Sequence, residues 1–413
     1  MIKKHIAFIE LNTTGATINY IKNAKKKGYH IILVVSQIEY YNRFKELRRA
    51  INDYVDNIIQ CDTHYNLDNL IKKLKLLPRL DGIIATHDLE IYSASYIAKA
   101  LNLPFNSLEA INICRNKYLL RDFLVESNLS SINFATGENL KALLKKANEI
   151  GYPLVFKPIN TTDSYGVSLI KNDNELILAY DNFNSDNGEW RGTSKNRTIL
   201  LEKFQEGSLI SVESISDGEN ISILGVTGRN LGPEPYFIEK DTFFPLQVND
   251  ELIEAIELIK KVLSKLSYNL GPAHTEIILT DHGPEIIEIN PRLVGGTISE
   301  MINTIVSDDI YSYILNIYTN TNSELTTKCN GFGLSRMILP DKEGILTEFS
   351  IPECIMKDSC IKFKKNFNIG DHISFPAKQN GHTLGVITIT GENSYIVNKK
   401  MNDVEQNLIV TIK

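Results

Sequence analysis

Between residues 274 and 292 the chain reads His274-Thr275-Glu276-Ile277-Ile278-Leu279, then Asp281-His282-Gly283, then Glu285-Ile286-Ile287-Glu288-Ile289-Asn290-Pro291-Arg292. This stretch constrains the fold more than any other. Two apolar runs flank a short turn, Asp281 to Gly283, whose glycine supplies the left-handed position that such a hairpin needs. Side chains alternate across a strand, so His274, Glu276 and Ile278 are expected on one face, and Ile286, Glu288 and Asn290 together on another. In that register Glu276 lies opposite Glu288, and His274 opposite Asn290. Directly opposed carboxylates repel and destabilise a sheet. A cation between them removes the penalty. Carboxylate and amide oxygens, with no cysteine in reach, suit a hard ion such as magnesium. The isoleucines at 277, 278, 286, 287 and 289 mark both strands as buried rather than as a solvated surface hairpin. Pro291 ends the second strand rigidly and brings the Arg292 guanidinium beside the proposed metal, an arrangement suited to phosphate.

The first 110 residues alternate strand and helix. Strands are expected at Ile6–Leu11, Ile31–Val35, Ile58-Ile59 and Gly82–Ala85, with helices near Thr17–Lys27, Leu67–Leu76 and Ile91–Leu101. Apolar strands separated by helices imply a parallel sheet covered on both faces. Asn12-Thr13-Thr14-Gly15 offers a single glycine after the first strand, which does not make a dinucleotide site. Asp88 and Glu90 follow the strand at 82–85, at the end where ligands of such sheets bind, and are candidate substrate residues. A second unit spans 111–320. It opens with a helix over Asn116–Leu124 and another over Leu140–Ile150. Leu154-Val155-Phe156-Lys157-Pro158 then forms an apolar strand ending in a lysine. The polar loop Asn160 to Tyr165 and the strand Gly166–Ile170 could fold over a phosphate through backbone N–H groups and hydroxyls. Residues 182–197 read as a surface loop, Ile199–Phe204 as a strand, and Glu251–Leu266 as an amphipathic helix. The final unit, 321–413, reads as strand-rich with few convergent polar groups.

Composition narrows the function. The net charge of −6 has no compensating basic stripe, which argues against nucleic acid as a main partner. The short runs Lys25-Lys26-Lys27 and Lys145-Lys146 read as solvated helix faces. Five cysteines without metal-type spacing suit a reducing cytoplasm. The start reads as a charged lead into a strand rather than a secretory signal, and no apolar run approaches the length of a membrane span.

A lysine on a helix (Lys117), a lysine ending a strand before a polar loop (Lys157), the run Glu202-Lys203-Phe204, and the Glu276…Glu288-x-Asn290-Pro291-Arg292 hairpin occur in one order. Together they resemble the ATP-grasp superfamily. The resemblance covers nearly the whole chain. It implies an α/β fold, α+β in its central part. A Rossmann-like pre-ATP-grasp domain would span 1–110. The ATP-grasp domain would comprise a nucleotide-covering part at 111–200 and a metal-bearing half at 201–320. A small β-rich lobe would span 321–413. Gly271-Pro272-Ala273-His274-Thr275-Glu276 and Asn290-Pro291-Arg292-Leu293-Val294-Gly295-Gly296 are most similar to carboxylate–amine ligases of the L-amino-acid ligase and dapdiamide-synthase type.

The resemblance implies ATP and one or two magnesium ions, with manganese able to substitute. It makes Lys117 and Lys157 phosphate contacts, and Asp163, Ser164 and Gly166 the phosphate loop. Glu202, Lys203 and Phe204 become the hinge whose backbone reads adenine. Glu276 and Glu288, assisted by Asn290, become the metal ligands. Arg292 would steady the transferring phosphoryl group, with Lys157 also catalytic. Many family members carry a ribose-binding glutamate two residues after the hinge glycine, where this chain has Leu209; Glu213 lies nearby.

The implied chemistry is activation of a carboxylate as an acyl phosphate, followed by attack of an amine. Glu239 is a candidate to accept the amine proton. His274 is a candidate to orient the acceptor, and Gly295 and Gly296 leave room for a substrate. The partners are ATP and small carboxylates or amino acids, with a homodimer as one compatible assembly. Two alternatives remain: a carboxylase or purine-pathway ligase using bicarbonate or formate, and a non-catalytic nucleotide-binding protein.

Overall fold

The architecture comes from a computed structural model that describes residues 3–13, 16–161, 164–185 and 196–413. Asp163, the Thr14-Gly15 pair and most of the 182–197 segment lie outside these residues. Strands β1 (His5–Ile9), β2 (His30–Val35), β3 (Asn57–Gln60) and β4 (Gly82–Ile84) pair in parallel in the order β3-β2-β1-β4. Period-two alternation divides them between two cores. Ile6, Phe8, Ile31 and Leu33 pack with Ile21, Leu47 and Ile51. Ala7, Ile9, Ile32 and Val34 pack with Leu70, Leu74, Ala94 and Ile97. Both faces are therefore covered, as a parallel sheet requires. Two helices, Ile38–Asn42 and Lys45–Tyr54, occupy a stretch where the sequence pattern suggested none.

A second sheet holds β5 (Phe134–Gly137), β6 (Leu154–Pro158), β7 (Ser168–Ile170) and β8 (Ile199–Lys203), all antiparallel, in the order β5-β8-β6-β7. Leu143, Phe156, Leu176 and Phe183 bury its back against helices Leu140–Ile150 and Asp173–Ser185.

The remaining strands are β9 (Ser208–Asp217), β10 (Ile221–Leu231), β11 (Glu239–Phe244), β12 (Leu270–Thr280), β13 (Gly283–Asn290), β14 (Phe332–Ile338), β15 (Gly344–Ser350), β16 (Ile361–Lys365), β17 (His372–Ile373), β18 (Gly385–Gly391) and β19 (Ile409–Ile412). Eight of them form one sheet, β13-β12-β9-β10-β11-β14-β18-β16, and β17-β15-β19 form a small one. Helix Asp250–Lys265 covers the back of the large sheet through Leu252, Ile259 and Leu263, which meet Ile210, Val212 and Ile277. Helix Ser394–Asn407, not anticipated in the strand-rich reading of the C-terminal unit, packs Val397, Met401 and Val404 against Ile387 and Ile389. Among the described residues, no helix is long and apolar enough to cross a membrane.

The β12–β13 hairpin pairs His274 with Asn290 and Glu276 with Glu288. It reaches that register differently from the sequence expectation. Thr280 pairs with Gly283, so only Asp281 and His282 lie beyond the closing pair, and Gly283 has φ of 113°. Ile277 pairs with Ile286, and the ladder slips before the Glu276–Glu288 pair, leaving Ile287 as the extra residue of a bulge. The bulge breaks the expected alternation. Ile286 turns into the core beneath helix Asp250–Lys265, while Ile287 and Glu288 both line the cavity in front of the sheet.

Candidate active site

A cavity of about 850 Å³ lies between the β5–β8 sheet and the front of the large sheet. Lys117, Lys157, Lys203, Phe204, Glu202 and Ser164 line one wall; Arg229, His274, Glu276, Glu288, Asn290 and Arg292 line the other. Glu239, Gly295 and Gly296 also line it. Gly296 sits at φ of 63°, and a Cβ there or on Gly295 would meet nothing closer than the Arg292 guanidinium at 4.0 Å. The glycines therefore satisfy a left-handed backbone and leave open space beside the arginine.

The opposed glutamates are each held by a cation. Lys117 Nζ donates to Glu288 Oε1 at 2.9 Å and to the Thr161 carbonyl at 2.8 Å. His274 Nε2 lies 3.4 Å from Glu276 Oε1. Nδ1 of the same ring lies 2.9 Å from Glu213 Oε1, and Nε2 lies 3.2 Å from Arg229 Nη2. Burial alone would lower the His274 pKa, but the Glu213 carboxylate beside it pushes it up to about 9. Burial would raise Glu276, and the His274 hydrogen bond with the Arg229 charge holds it at about 2. The neighbouring carboxylates thus favour the charged form of His274, and His274 and Arg229 favour the charged form of Glu276.

Arg292 is anchored from behind. Its Nε and Nη2 donate to Asp88 Oδ2 at 2.8 and 2.6 Å, and Nη1 donates to the Leu293 carbonyl at 3.1 Å. This corrects the expected role of Asp88 and Glu90 as substrate residues, since neither lines the cavity. The helix begins at Asp88, with His87 as its N-cap, so both acids fall in its first turn. Burial works to raise Asp88, and the Arg292 and Arg115 guanidiniums more than offset it, holding it well below the usual carboxylate range. Glu90 is buried beside His87, whose Nδ1 is 3.2 Å from Glu90 Oε2.

The hinge expectation also changes. Glu202 lies in β8 between Phe134 of β5 and Val155 of β6, so its backbone is committed to the sheet. Its buried side chain accepts from Arg121 Nε at 2.6 Å and from Lys157 Nζ. Burial would raise its pKa, and Lys157 and Arg121 hold it at about 2. Glu202 therefore fixes two cations rather than reading a base edge. The Lys203 N–H donates to the Asn133 carbonyl at 2.8 Å and the Phe204 N–H to the Pro153 carbonyl at 3.1 Å. Among the described residues, no hydrogen bond engages the next N–H, that of Gln205, which also lines the cavity.

In the expected phosphate loop, Thr161, Ser164 and Val167 line the cavity. Gly166 does not; it has φ of 74°, and a Cβ there would press against the side chains of Pro158 and Phe183. Leu209 lines the cavity where a ribose-binding acid was considered, and Glu213 does not replace it. Glu213 is buried beneath His274, accepting from Ser211 Oγ at 2.7 Å and Thr227 Oγ1 at 3.1 Å.

Five residues escaped the sequence reading. Arg121 is almost fully buried, yet its only signal was its place four residues after Lys117 on one helix. Arg229 ends a plain apolar strand pattern. Asn366, Asn368 and Asn380, from loops of the C-terminal unit, also reach the cavity, against the expectation of few convergent polar groups there. Their signal is long-range and invisible to local periodicity.

Fold and sequence together fix the class of this molecule. Residues 150–301 match the ATP-grasp domain family. The chain superposes on the crystal structure of L-amino acid ligase from Bacillus licheniformis with a TM-score of 0.81, covering 100% of this chain and 99% of that one at 18% identity. It is 28% identical over 306 residues to the formate-dependent phosphoribosylglycinamide formyltransferase of Prochlorococcus marinus, covering 70% of each. It is 25% identical over 334 residues to an uncharacterized protein of Sinorhizobium fredii, covering 79% of this chain and 68% of that one. Residues 150–301 form an ATP-grasp domain, and the chain as a whole has the ATP-grasp fold.

Proposed function

We propose that the chain joins a carboxylate to an amine in an amide bond, with the carboxylate activated by ATP as an acyl phosphate and ADP and phosphate released. The observation that carries this reading is the opposed Glu276–Glu288 pair, with Asn290 and the anchored Arg292 on its flank. Magnesium fits that donor set. Among the described residues no cluster of three or more His, Cys, Asp or Glu could hold a metal by itself. Two carboxylates and an amide oxygen instead leave positions to phosphate oxygens, the usual mode of magnesium at nucleotide sites. Glu276, Glu288 and Asn290 would hold it, and when bound it neutralises phosphate charge.

Lys117 and Lys157 complement the nucleotide phosphates. Gln205 rather than Lys203 or Phe204 offers the hinge N–H to adenine. A carboxylate oxygen attacks the γ-phosphorus, the bond to ADP breaks, and Arg292 lies against the phosphoryl group in transfer. The amine then attacks the acyl carbon and phosphate leaves. Glu239 would receive the amine proton. Sheet walls, with Thr161, Ser164 and Val167, limit water that would hydrolyse the intermediate.

A second reading has support from the likeness to the formate-dependent formyltransferase, and would replace the larger carboxylate by formate or bicarbonate. A phosphate-release screen with ATP and magnesium over pairs of amino acids and small carboxylates, read with product mass, separates the two. The proposal expects release that depends on both partners, and a product equal to their sum less one water. Release with formate or bicarbonate, and with no carboxylate–amine pair, overturns it.

A further inference from the structure

Helix Leu108–Arg115 ends at Arg115, two residues before Lys117. Asn116, between them, caps the next helix by accepting from the Tyr118 and Leu119 N–H groups. The backbone therefore fixes Arg115 beside the phosphate-side lysine. Its side chain is 16% exposed, and its Nη1 lies 4.0 Å from Asp88 Oδ1. Asp88 is the carboxylate that grips Arg292, and both of those contacts fall on Oδ2. Its Oδ1 is buried with no hydrogen-bond partner among the described residues. One acid thus stands between two guanidiniums, and of these Arg292 lines the cavity.

At 4.0 Å Arg115 is beyond hydrogen-bond length, so it does not orient Asp88 through a directed donor. A charge still acts at that range, and more strongly in a buried site than in water. Burial lowers the Arg115 pKa, Asp88 and Glu90 raise it, and Arg292 lowers it again. The two arginines therefore sense each other across Asp88. Glu90 and Glu288 have nearer basic neighbours, His87 Nδ1 at 3.2 Å and Lys117 Nζ at 2.9 Å. Arg292 and Asp88 alone make a neutral pair, which attracts a phosphoryl group weakly. With Arg115, the chain Arg115–Asp88–Arg292 holds two cations and one anion, and so one net positive charge.

We propose that Arg115 is a positioning residue that acts by charge: it offsets Asp88, so that Arg292 keeps a net positive pull on the terminal phosphoryl group of the nucleotide while Asp88 holds its orientation. This rests on the ligase reading, which places that phosphoryl group at Arg292.

The test is equilibrium binding of magnesium ADP and of the magnesium complex of the non-hydrolysable β,γ-imido analogue of ATP, which differ by the terminal phosphate. The quantity read is the affinity for the analogue divided by that for ADP. Arg115→Gln should lower this ratio by about 10-fold, the scale of one unit charge acting at an effective dielectric of about 20. Arg115→Lys, which keeps the charge without the fork, should restore the ratio. Arg115→Gln combined with Asp88→Asn returns the chain to one net positive charge and should recover most of it, which a merely structural role would not allow. Where Arg115→Gln fails to fold, Arg115→Met, which leaves no polar group at the site, is read in its place. An unchanged ratio in Arg115→Gln, or a loss that neither Arg115→Lys nor the double variant recovers, overturns the inference and leaves the ligase reading standing. Absence of nucleotide binding by the wild type, or a ratio that survives Arg292→Gln, overturns the placement of the phosphoryl group at Arg292 and the inference with it.

Discussion

The cavity has two charged walls built on opposite principles. On the β5–β8 side, Glu202 is matched by Arg121 and Lys157, and the three side chains are almost wholly buried. On the large sheet, Glu276, His274, Arg229 and Glu239 run in a row, with one guanidinium nitrogen unmatched among the described residues. The first arrangement is complete without a ligand and so sets geometry. The second leaves a buried donor without an acceptor among the described residues. A buried charge group that is already satisfied resists change, whereas one with a spare donor is less constrained.

Substitutions on the two walls should therefore fail in different ways. The largest catalytic effect belongs to the open wall. Glu288→Gln should lower kcat by roughly 10²–10³-fold or more, the scale on which transition-state electrostatics act. It should weaken ATP binding only when magnesium is present, as titration with and without the ion would show. Wild-type turnover at ordinary magnesium would remove Glu288 from the metal site.

Arg292→Lys comes next. A lysine cannot grip Asp88 with two nitrogens while facing the phosphoryl group. Steady-state kinetics should show kcat lowered by roughly 10²-fold with ATP affinity within a few-fold. Lost nucleotide binding with retained kcat would make Arg292 a ground-state anchor.

The closed wall should answer through stability instead. Glu202→Gln leaves two buried cations underpaired and should cost about 3–5 kcal/mol in denaturant unfolding, the range for breaking a buried pair. A loss below about 1 kcal/mol would place this pair with weak surface contacts. The sign of the pH effect follows. Glu202 is held at about 2 against an ordinary 4.5, so its contribution is present above about 4.5 and lost as pH falls toward 2. Thermal melts of the wild type should fall more steeply than those of Glu202→Gln across that window. Parallel curves would contradict the assignment, and this is the smallest of the expected differences.

The same contrast explains what could be read from the chain. The face of the large sheet was legible because strand alternation is local. His274, Glu276 and Ile278 fall on one face by spacing alone, whereas the observed turn sets the Glu276–Glu288 register only together with the bulge before that pair. Even there, Ile287 was misplaced, because a bulge adds one residue with no compositional signal. The closed wall was harder. Glu202 looked like a hinge residue because its neighbours Lys203 and Phe204 invited a backbone reading. Its partners Arg121 and Lys157 come from a helix and another strand, and only the fold brings them together. Asp88 was misread for a similar reason: the helix start at His87 moved it into a first turn, behind Arg292 rather than toward substrate.

The central claim is that ATP activates a carboxylate by phosphorylation. It is tested most directly by supplying an ¹⁸O-labelled carboxylate with its amine partner and following the nucleotide and phosphate products by ³¹P NMR. The account predicts ADP and inorganic phosphate carrying one carboxylate-derived ¹⁸O for each amide formed. AMP and pyrophosphate, with the label left in AMP, would contradict it and show an adenylating mechanism.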